Sequence, residues 1–311
     1  MAAEGREKVA FVVLHYLSAE LTQDCLESLL ALGAGSEHFE PAVVVVDNAS
    51  NNGSTEQVEA RFGSCENVRF LRNEANLGFS RANNRGFQLA VEEFAPAHVV
   101  VLNNDTVIRQ AGFLDELERI FEEQGRPHVI GPDIFVERKG IHQSPWMPAP
   151  MTRERIEARL ENMRYLEAHG GVPRSLHGKI RHLMCRTAAG RRFFEQRDLK
   201  RLAAFEGWRE PAEGSLLHGA AIVFTRAFVA EGLLPFVPET FLYEEEQILA
   251  LRCQRRGWRT YYTPELQVIH YDDGSTDLAT KDYDRKQRFL RKNEIESLQT
   301  LLAAWDTLEE M

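Results

Sequence analysis

Along the first 130 positions, continuous apolar runs alternate with stretches in which apolar residues recur every three or four places. VAFVVLHY (9–16), PAVVVVDNAS (41–50), NVRFLRN (67–73) and AHVVVLNND (97–105) are of strand length and rich in β-branched residues. LTQDCLESLLAL (21–32), EQVEARFG (56–63), SRANNRGFQLAVEEF (80–94) and AGFLDELERIFEEQ (111–124) carry helical spacing. Strands apolar on both faces, separated by amphipathic helices, predict a parallel sheet covered on both sides. Ligands of such sheets bind beyond the carboxyl ends of the strands. That rule makes candidates of His15 and Tyr16, Asp47 and Asn48, Asn76, and Asn103, Asn104 and Asp105.

The pattern changes after Val136. A Pro/Trp/Met loop, SPWMPAPM (144–151), leads into basic helices with little strand character as far as Leu202. SLLHGAAIVFTR (215–226) resumes a strand, ETFLYEEEQILALRCQRRGW (239–258) reads as a loop entering a helix, and TYYTPELQVIHY (260–271) reads as a strand. The residues from about Lys281 are helical. No internal repeat or low-complexity linker interrupts this order, so the basic segment is an insertion within one fold.

At 43% hydrophobic, the 311 residues are enough for a substantial core without disulfides. Cys25, Cys65, Cys185 and Cys253 are scattered with no CxxC pair, the usage of reduced thiols in a cytoplasmic protein. The N-terminal apolar run is too short for a signal peptide. No window approaches the roughly 18 apolar residues of a membrane span. The expectation is a soluble or peripheral protein. A net charge of −10 excludes a general nucleic-acid binder. Between Met151 and Glu210, however, fourteen Lys/Arg face eight Asp/Glu, a local +6 against −16 elsewhere. Such an island suits an anionic partner, and it equally suits a solvated helical surface.

Several motifs carry possible chemistry. A buried strand that ends in Asn103, Asn104 and Asp105 puts oxygen groups where Mg2+ or Mn2+ would bridge to a diphosphate, although an Asn/Asp turn serves equally as a helix start. Asp47 can accept from a ribose hydroxyl or form a simple Asx turn. Asn76, Gly78 and Arg81 belong to a tight turn entering a helix, a site suited to phosphate. It is not a GxGxxG, so a dinucleotide fingerprint is absent. Adjacent Glu244, Glu245 and Glu246 repel one another, which raises a carboxyl pKa toward that of a proton acceptor; helix-start acidity is the simpler reading. His270 ends a strand beside Asp272 and Asp273.

The order of these motifs resembles that of the inverting, GT-A-fold glycosyltransferases of family 2, typified by bacterial rhamnosyltransferases and enzymes of polysaccharide biosynthesis. VVLHYLSAELTQDCLESLL, VVVVDNASNNGS, NLGFSRANNRG, VVVLNNDTVI and GAAIVFTR with LPFVPETFLYEEEQILALRCQRRGW carry the likeness, over 9–135 and 214–275. The resemblance implies an α/β, Rossmann-like, mostly parallel sheet flanked by helices, with a helical insertion. It divides the chain into a nucleotide-sugar donor-binding half (1–135), the basic insertion (136–213), an acceptor-binding catalytic half (214–280) and C-terminal helices (281–311). His15, Tyr16, Asp47, Asn48, Asn76, Gly78, Arg81, Asn103 and Asn104 would then bind the donor. Asp105, with His270, would hold Mg2+ or Mn2+, and Glu245 or Glu246 would be the catalytic base, Glu245 favoured. Asn103 stands where the family has the first aspartate of DxD, and the acidic pair is Glu-Glu with an extra Glu244.

The implied activity is transfer of a hexose from dTDP-rhamnose or a UDP-sugar to a hydroxyl of a glycan or lipid-linked glycan. A nucleotidyltransferase, which needs a basic glycine-rich loop that LHYLSAEL lacks, and a non-catalytic sugar-binding relative are the alternatives. The implied location is cytoplasmic. Residues 151–210 would either rest on the cytoplasmic face of a membrane or pack as a subdomain, on the donor half or on a second copy in a homodimer.

Overall fold

The computed structural model describes residues 5–272 and 283–307. Its centre is a ten-stranded sheet. Strands β1 (Glu7–His15), β2 (Phe39–Asp47), β3 (Val68–Arg72) and β4 (His98–Asn103) form a parallel block in the order β3-β2-β1-β4. Helices α1 (Ala19–Ala31), α2 (Ser54–Phe62) and α3 (Gly78–Phe94) make the crossovers, as the hydrophobic periodicity predicts. Because strand side chains alternate, Val9, Phe11 and Val13 join one core with α1, α2 and α4 (Phe113–Glu123). Ala10 and Val12 join a second core under α3. The fold is α/β with a mostly parallel sheet between helical layers.

Beyond β4 the sheet continues as β9 (Ala221–Phe224), β6 (Val129–Val136), β10 (Thr260–His270) and β5 (Thr106–Val107), with β7 (Ile141–His142) and β8 (Ala212–Glu213) paired at its margin. Strand β9 runs antiparallel to both β4 and β6. Its N-terminal end therefore lies at the same edge as the carboxyl ends of the parallel strands. Strand β6 is a departure from the sequence pattern, which Gly131 and Pro132 interrupt. Proline cannot donate to a ladder. Here the β9 pairing of β6 covers only Val129 and Ile130, and the β10 register shifts between Thr263 and Gln267, just after the Thr263–Pro132 pair. Pro132 thus falls where the ladder is already broken.

The basic segment divides in two. Helix α5 (Arg153–Ala168) contributes Ile156 and Leu160 to a third core, with Ile248 and Leu251 of α9 (Glu245–Arg256) and Leu298 and Leu301 of α10 (Tyr283–Thr307). Helices α6 (Leu176–Cys185) and α7 (Ala188–Ala203) bury only Gly190 and Phe194. From 283 to 307 the C-terminal region is one helix, and among the described residues no helix is long and apolar enough to cross a membrane. The remaining helix, α8 (Arg226–Val229), packs Phe228 into the second core.

Helix α3 sits close on the sheet because Gly86 has no side chain. A Cβ there would meet Val12 Cγ1 and Val46 Cγ2, each at 2.5 Å, and both are stiff β-branched core residues. Helix propensity alone would make Gly86→Ala stabilising by about 1 kcal/mol. The packing reverses the sign: the substitution is expected to lower stability by about 1–3 kcal/mol in urea unfolding. A stabilised variant would contradict this close helix–sheet contact.

Candidate active site

The carboxyl edge of the sheet collects the polar strand ends. Strand β5 pairs with β10 in a register that sets His270 opposite Thr106, and Tyr271 N–H donates to Asp105 O at 2.8 Å. That ladder brings Asp105 Oδ1 to 3.3 Å from His270 Nε2, both residues being buried. His270 Nδ1 donates to Gln143 Oε1 at 2.7 Å, so Nε2 is the ring nitrogen the histidine would offer a metal, beside a carboxylate oxygen. Two electron-pair donors about 3 Å apart are spaced as adjacent ligands of a cation with bonds of about 2.1 Å. The pair fits one edge of a Mg2+ or Mn2+ site. Among the described residues no group of three or more His, Cys, Asp or Glu gathers to hold a metal. Asp272 instead pairs with Lys139, and Asp273 lies outside the described residues.

The expected donor-binding residues have divided roles. His15 is fully buried, with Nδ1 on Thr22 Oγ1 at 2.7 Å and Nε2 on Ser54 Oγ at 2.9 Å. It braces the end of β1 and has no ring nitrogen left for a base. Tyr16 follows it, half-buried. Asp47 Oδ1 accepts from Ser50 N–H in an Asx-like turn. Asn48 accepts from Asn73 and from Leu77 N–H and donates to Asn76 Oδ1 and Gly78 O, a closed knot. Asn104 donates to Thr22 Oγ1 at 2.9 Å, whereas Asn103 faces the cleft described below.

Helix α3 uses its first two turns to hold the segment 236–241. Phe79 N–H donates to Phe241 O, Ser80 bonds Thr240, Arg81 Nε donates to Pro238 O, and the Asn84 amide makes two bonds with the Phe236 backbone. Gly78 allows the approach. Its φ is +75°, and a Cβ would lie 2.3 Å from Phe241 O. The arginine expected at the diphosphate is thus also a bracket for the loop that precedes the acidic cluster.

That loop ends in two consecutive non-glycine residues in the left-handed region, Tyr243 (φ 77°) and Glu244 (φ 65°). Such backbone costs about 1–3 kcal/mol per residue and persists only where its surroundings hold it. Ser297 Oγ donates to Leu242 O, and Arg159 reaches Glu244 at 3.2 Å and Glu294 at 2.7 Å. The result aims the start of α9 at a cleft of about 260 Å3 lined by Asn103, Trp146, His218, Gly219, Tyr243 and the three glutamates. Burial raises the Glu244 carboxyl to about 7 despite Arg159. Burial, then the neighbouring Glu246 charge, raises Glu245 well above the ordinary range, and its Oε1 is buried without a hydrogen bond. Burial also raises Glu246, which keeps a bond from Gly219 N–H and stays half-open to the cleft. Accessibility therefore favours Glu246 over Glu245 as a proton acceptor.

His218, Gly219 and Arg159 were not among the sequence candidates. His218 Nδ1 accepts from Ala220 N–H at 3.0 Å, which leaves Nε2 as the N–H donor. Burial and the adjacent His270 push its pKa down to about 3, so the ring is a neutral donor. A Cβ on Gly219 would lie 2.2 Å from Glu246 Oε1. The strand-end rule points only to carboxyl ends, whereas His218 and Gly219 precede an antiparallel strand. The HG dipeptide ahead of AAIVF was the available signal.

The model of the family described as glycosyltransferase-like family 2 matches residues 6–288. No curated protein matches the chain. Among solved structures, the crystal structure of GalNAc-T7 with UDP, GalNAc and Mn2+ superposes with a TM-score of 0.52 at 14% identity. The match covers 86% of this chain and 44% of that one, so this chain spans less than half of that relative. At that identity the likeness shows a shared fold, that of the GT-A glycosyltransferases. Matched over most of its length, the chain belongs to glycosyltransferase family 2.

Proposed function

We propose that the chain is an inverting, metal-assisted glycosyltransferase. It would move a hexose from a nucleoside-diphosphate sugar, a UDP-sugar or dTDP-rhamnose, to a hydroxyl of a glycan or lipid-linked glycan acceptor. The observation that carries this is the meeting, at one sheet edge, of the Asp105–His270 pair and a cleft into which buried glutamates project. The GalNAc-T7 structure holds UDP and Mn2+ on the same fold, which supports a nucleotide-sugar donor and a divalent cation here.

In this reading Tyr16, Asp47 and Asn103 line the donor side, while Asn48, Asn76 and Gly78 hold that lining in shape. Arg81, anchored through Nε, would offer the rest of its guanidinium to the diphosphate. Asp105 and His270 would hold Mg2+ or Mn2+, which when bound offsets charge on the leaving diphosphate. Glu246 takes the proton of the acceptor hydroxyl. The acceptor oxygen then forms its bond to the anomeric carbon as the bond to the diphosphate oxygen breaks, releasing nucleoside diphosphate. One displacement without an enzyme nucleophile inverts the anomeric centre. His218 Nε2–H is placed in the same cleft to donate to a sugar hydroxyl or a phosphate oxygen.

Glu246→Gln keeps the shape and removes the base. A fall in kcat of about 10² to 10⁴-fold is expected, with donor affinity retained and Glu245→Gln less affected. Full activity in both would leave the acidic cluster as a helix start only. A base works deprotonated, and burial raises the Glu246 pKa. The acid limb of kcat/KM against pH should accordingly lie above the ordinary carboxylate range, with activity lost as pH falls through it. A profile flat down to pH values near 4.5, the ordinary glutamate value, would contradict that assignment.

Asp105→Ala removes one of the two ligands proposed among the described residues. Loss of transfer, partly restored by excess Mn2+, is expected in a metal titration of donor turnover. Turnover near that of the unmodified protein would remove the metal assignment. Formation of pyrophosphate instead of nucleoside diphosphate would indicate a nucleotidyltransferase, and binding without turnover a non-catalytic relative.

A further inference from the structure

Hairpin α6–α7 combines a strong positive charge with exposed apolar surface. Residues 172–203 carry nine Lys/Arg and two Asp/Glu, a net +7, so the rest of the chain sums to −17. Among the described residues, seven of the eleven exposed large hydrophobics lie in this same segment, including Leu176 (75% exposed), Leu183 (69%), Phe193 (56%) and Ile180 (50%). On α6, Leu176, Ile180, Leu183 and Met184 fall within an arc of roughly 100° at helical spacing. Arg181 and Cys185 occupy the opposite side and share a groove with α7, where Arg181 also pairs with Asp198. The apolar stripe therefore points away from its only helical neighbour in the hairpin. Lys179 and Arg186 border the stripe on one side.

We propose that this hairpin is a docking surface for an anionic lipid bilayer, with the α6 stripe entering the interface and the basic residues meeting the headgroups. Protruding aliphatic side chains need no matching pocket in a bilayer, and basic neighbours complement its surface charge. A second copy of the chain fits less well. Hairpin against hairpin would bring +7 onto +7. Elsewhere among the described residues the exposed large hydrophobics are only Trp146, Leu234, Tyr243 and Phe289, of which Trp146 and Tyr243 line the cleft. Nucleic acid is disfavoured because the stripe is aliphatic and gives bases nothing to stack on. This surface is separate from the transfer reaction, although a lipid-linked acceptor would give it a use.

The test is co-sedimentation of the full chain with vesicles of phosphatidylglycerol in phosphatidylcholine, and with phosphatidylcholine alone. Binding is expected only to the anionic vesicles, and it should weaken as salt is raised. A combined Leu176→Ser, Ile180→Ser, Leu183→Ser variant, and separately a Lys179→Gln, Arg192→Gln variant, should each lose about tenfold or more in partition. These side chains are exposed, so the thermal unfolding transition should be unchanged. Donor turnover read in the same samples scores catalysis separately from docking. Three results would overturn the proposal. They are no binding to anionic vesicles at low salt, binding untouched by both variants, and a dimer in light scattering that the serine variant abolishes.

Discussion

Five hydrogen bonds between the first two turns of α3 and the segment 236–241 hold the loop from which the acidic cluster is aimed. They join the parallel block of the sheet to the chain segment that leads into α9. Together with the Ser297–Leu242 bond and the Arg159–Glu244 pair they keep Tyr243 and Glu244 in left-handed backbone, which neither residue prefers. Relaxed to ordinary φ values, the loop would rotate the first turn of α9 and take Glu245 and Glu246 out of the cleft. Gly78 makes the approach possible and Gly86 sets the height of the helix on the sheet. The placement of the acidic groups thus depends on the absence of two side chains as much as on the carboxylates themselves.

The electrostatics follow from that placement. Three successive carboxyls at the mouth of a buried helix cannot all ionise without strong repulsion, and burial adds to the penalty. Arg159 relieves part of it by pairing with Glu244 and Glu294, which ties α5 and α10 to the start of α9. Glu244 is thereby a structural acid and Glu245 is the most enclosed. Glu246, half-buried and held by Gly219 N–H, is the member of the cluster that we propose as the base.

Much of the donor side was legible in the sequence because parallel strands buried on both faces leave an unmistakable apolar run. The strand-end rule places Asp47 and Asn103 at the carboxyl ends of β2 and β4, where the structure has them, with Asp105 two residues on. What was hidden is long-range. Strand β6 is broken by Gly131 and Pro132, and only the bulge in β10 explains why a proline is tolerated there. The antiparallel course of β9, which delivers His218 and Gly219 to the carboxyl edge, depends on topology that no local pattern encodes. Arg81, expected at a diphosphate from its place at a helix start, also bonds the backbone carbonyl of Pro238, more than 150 positions away. Even the basic segment is two things: α5 is core, and only α6–α7 projects.

A crystal structure of the protein with Mn2+ and either UDP or dTDP tests the central claim most directly. The expected result is an anomalous manganese peak within coordination distance of both Asp105 and His270, with the β-phosphate bound to it and pointing into the cleft that holds Glu246. A nucleotide bound away from this edge, or a metal held without Asp105 and His270, would contradict the account.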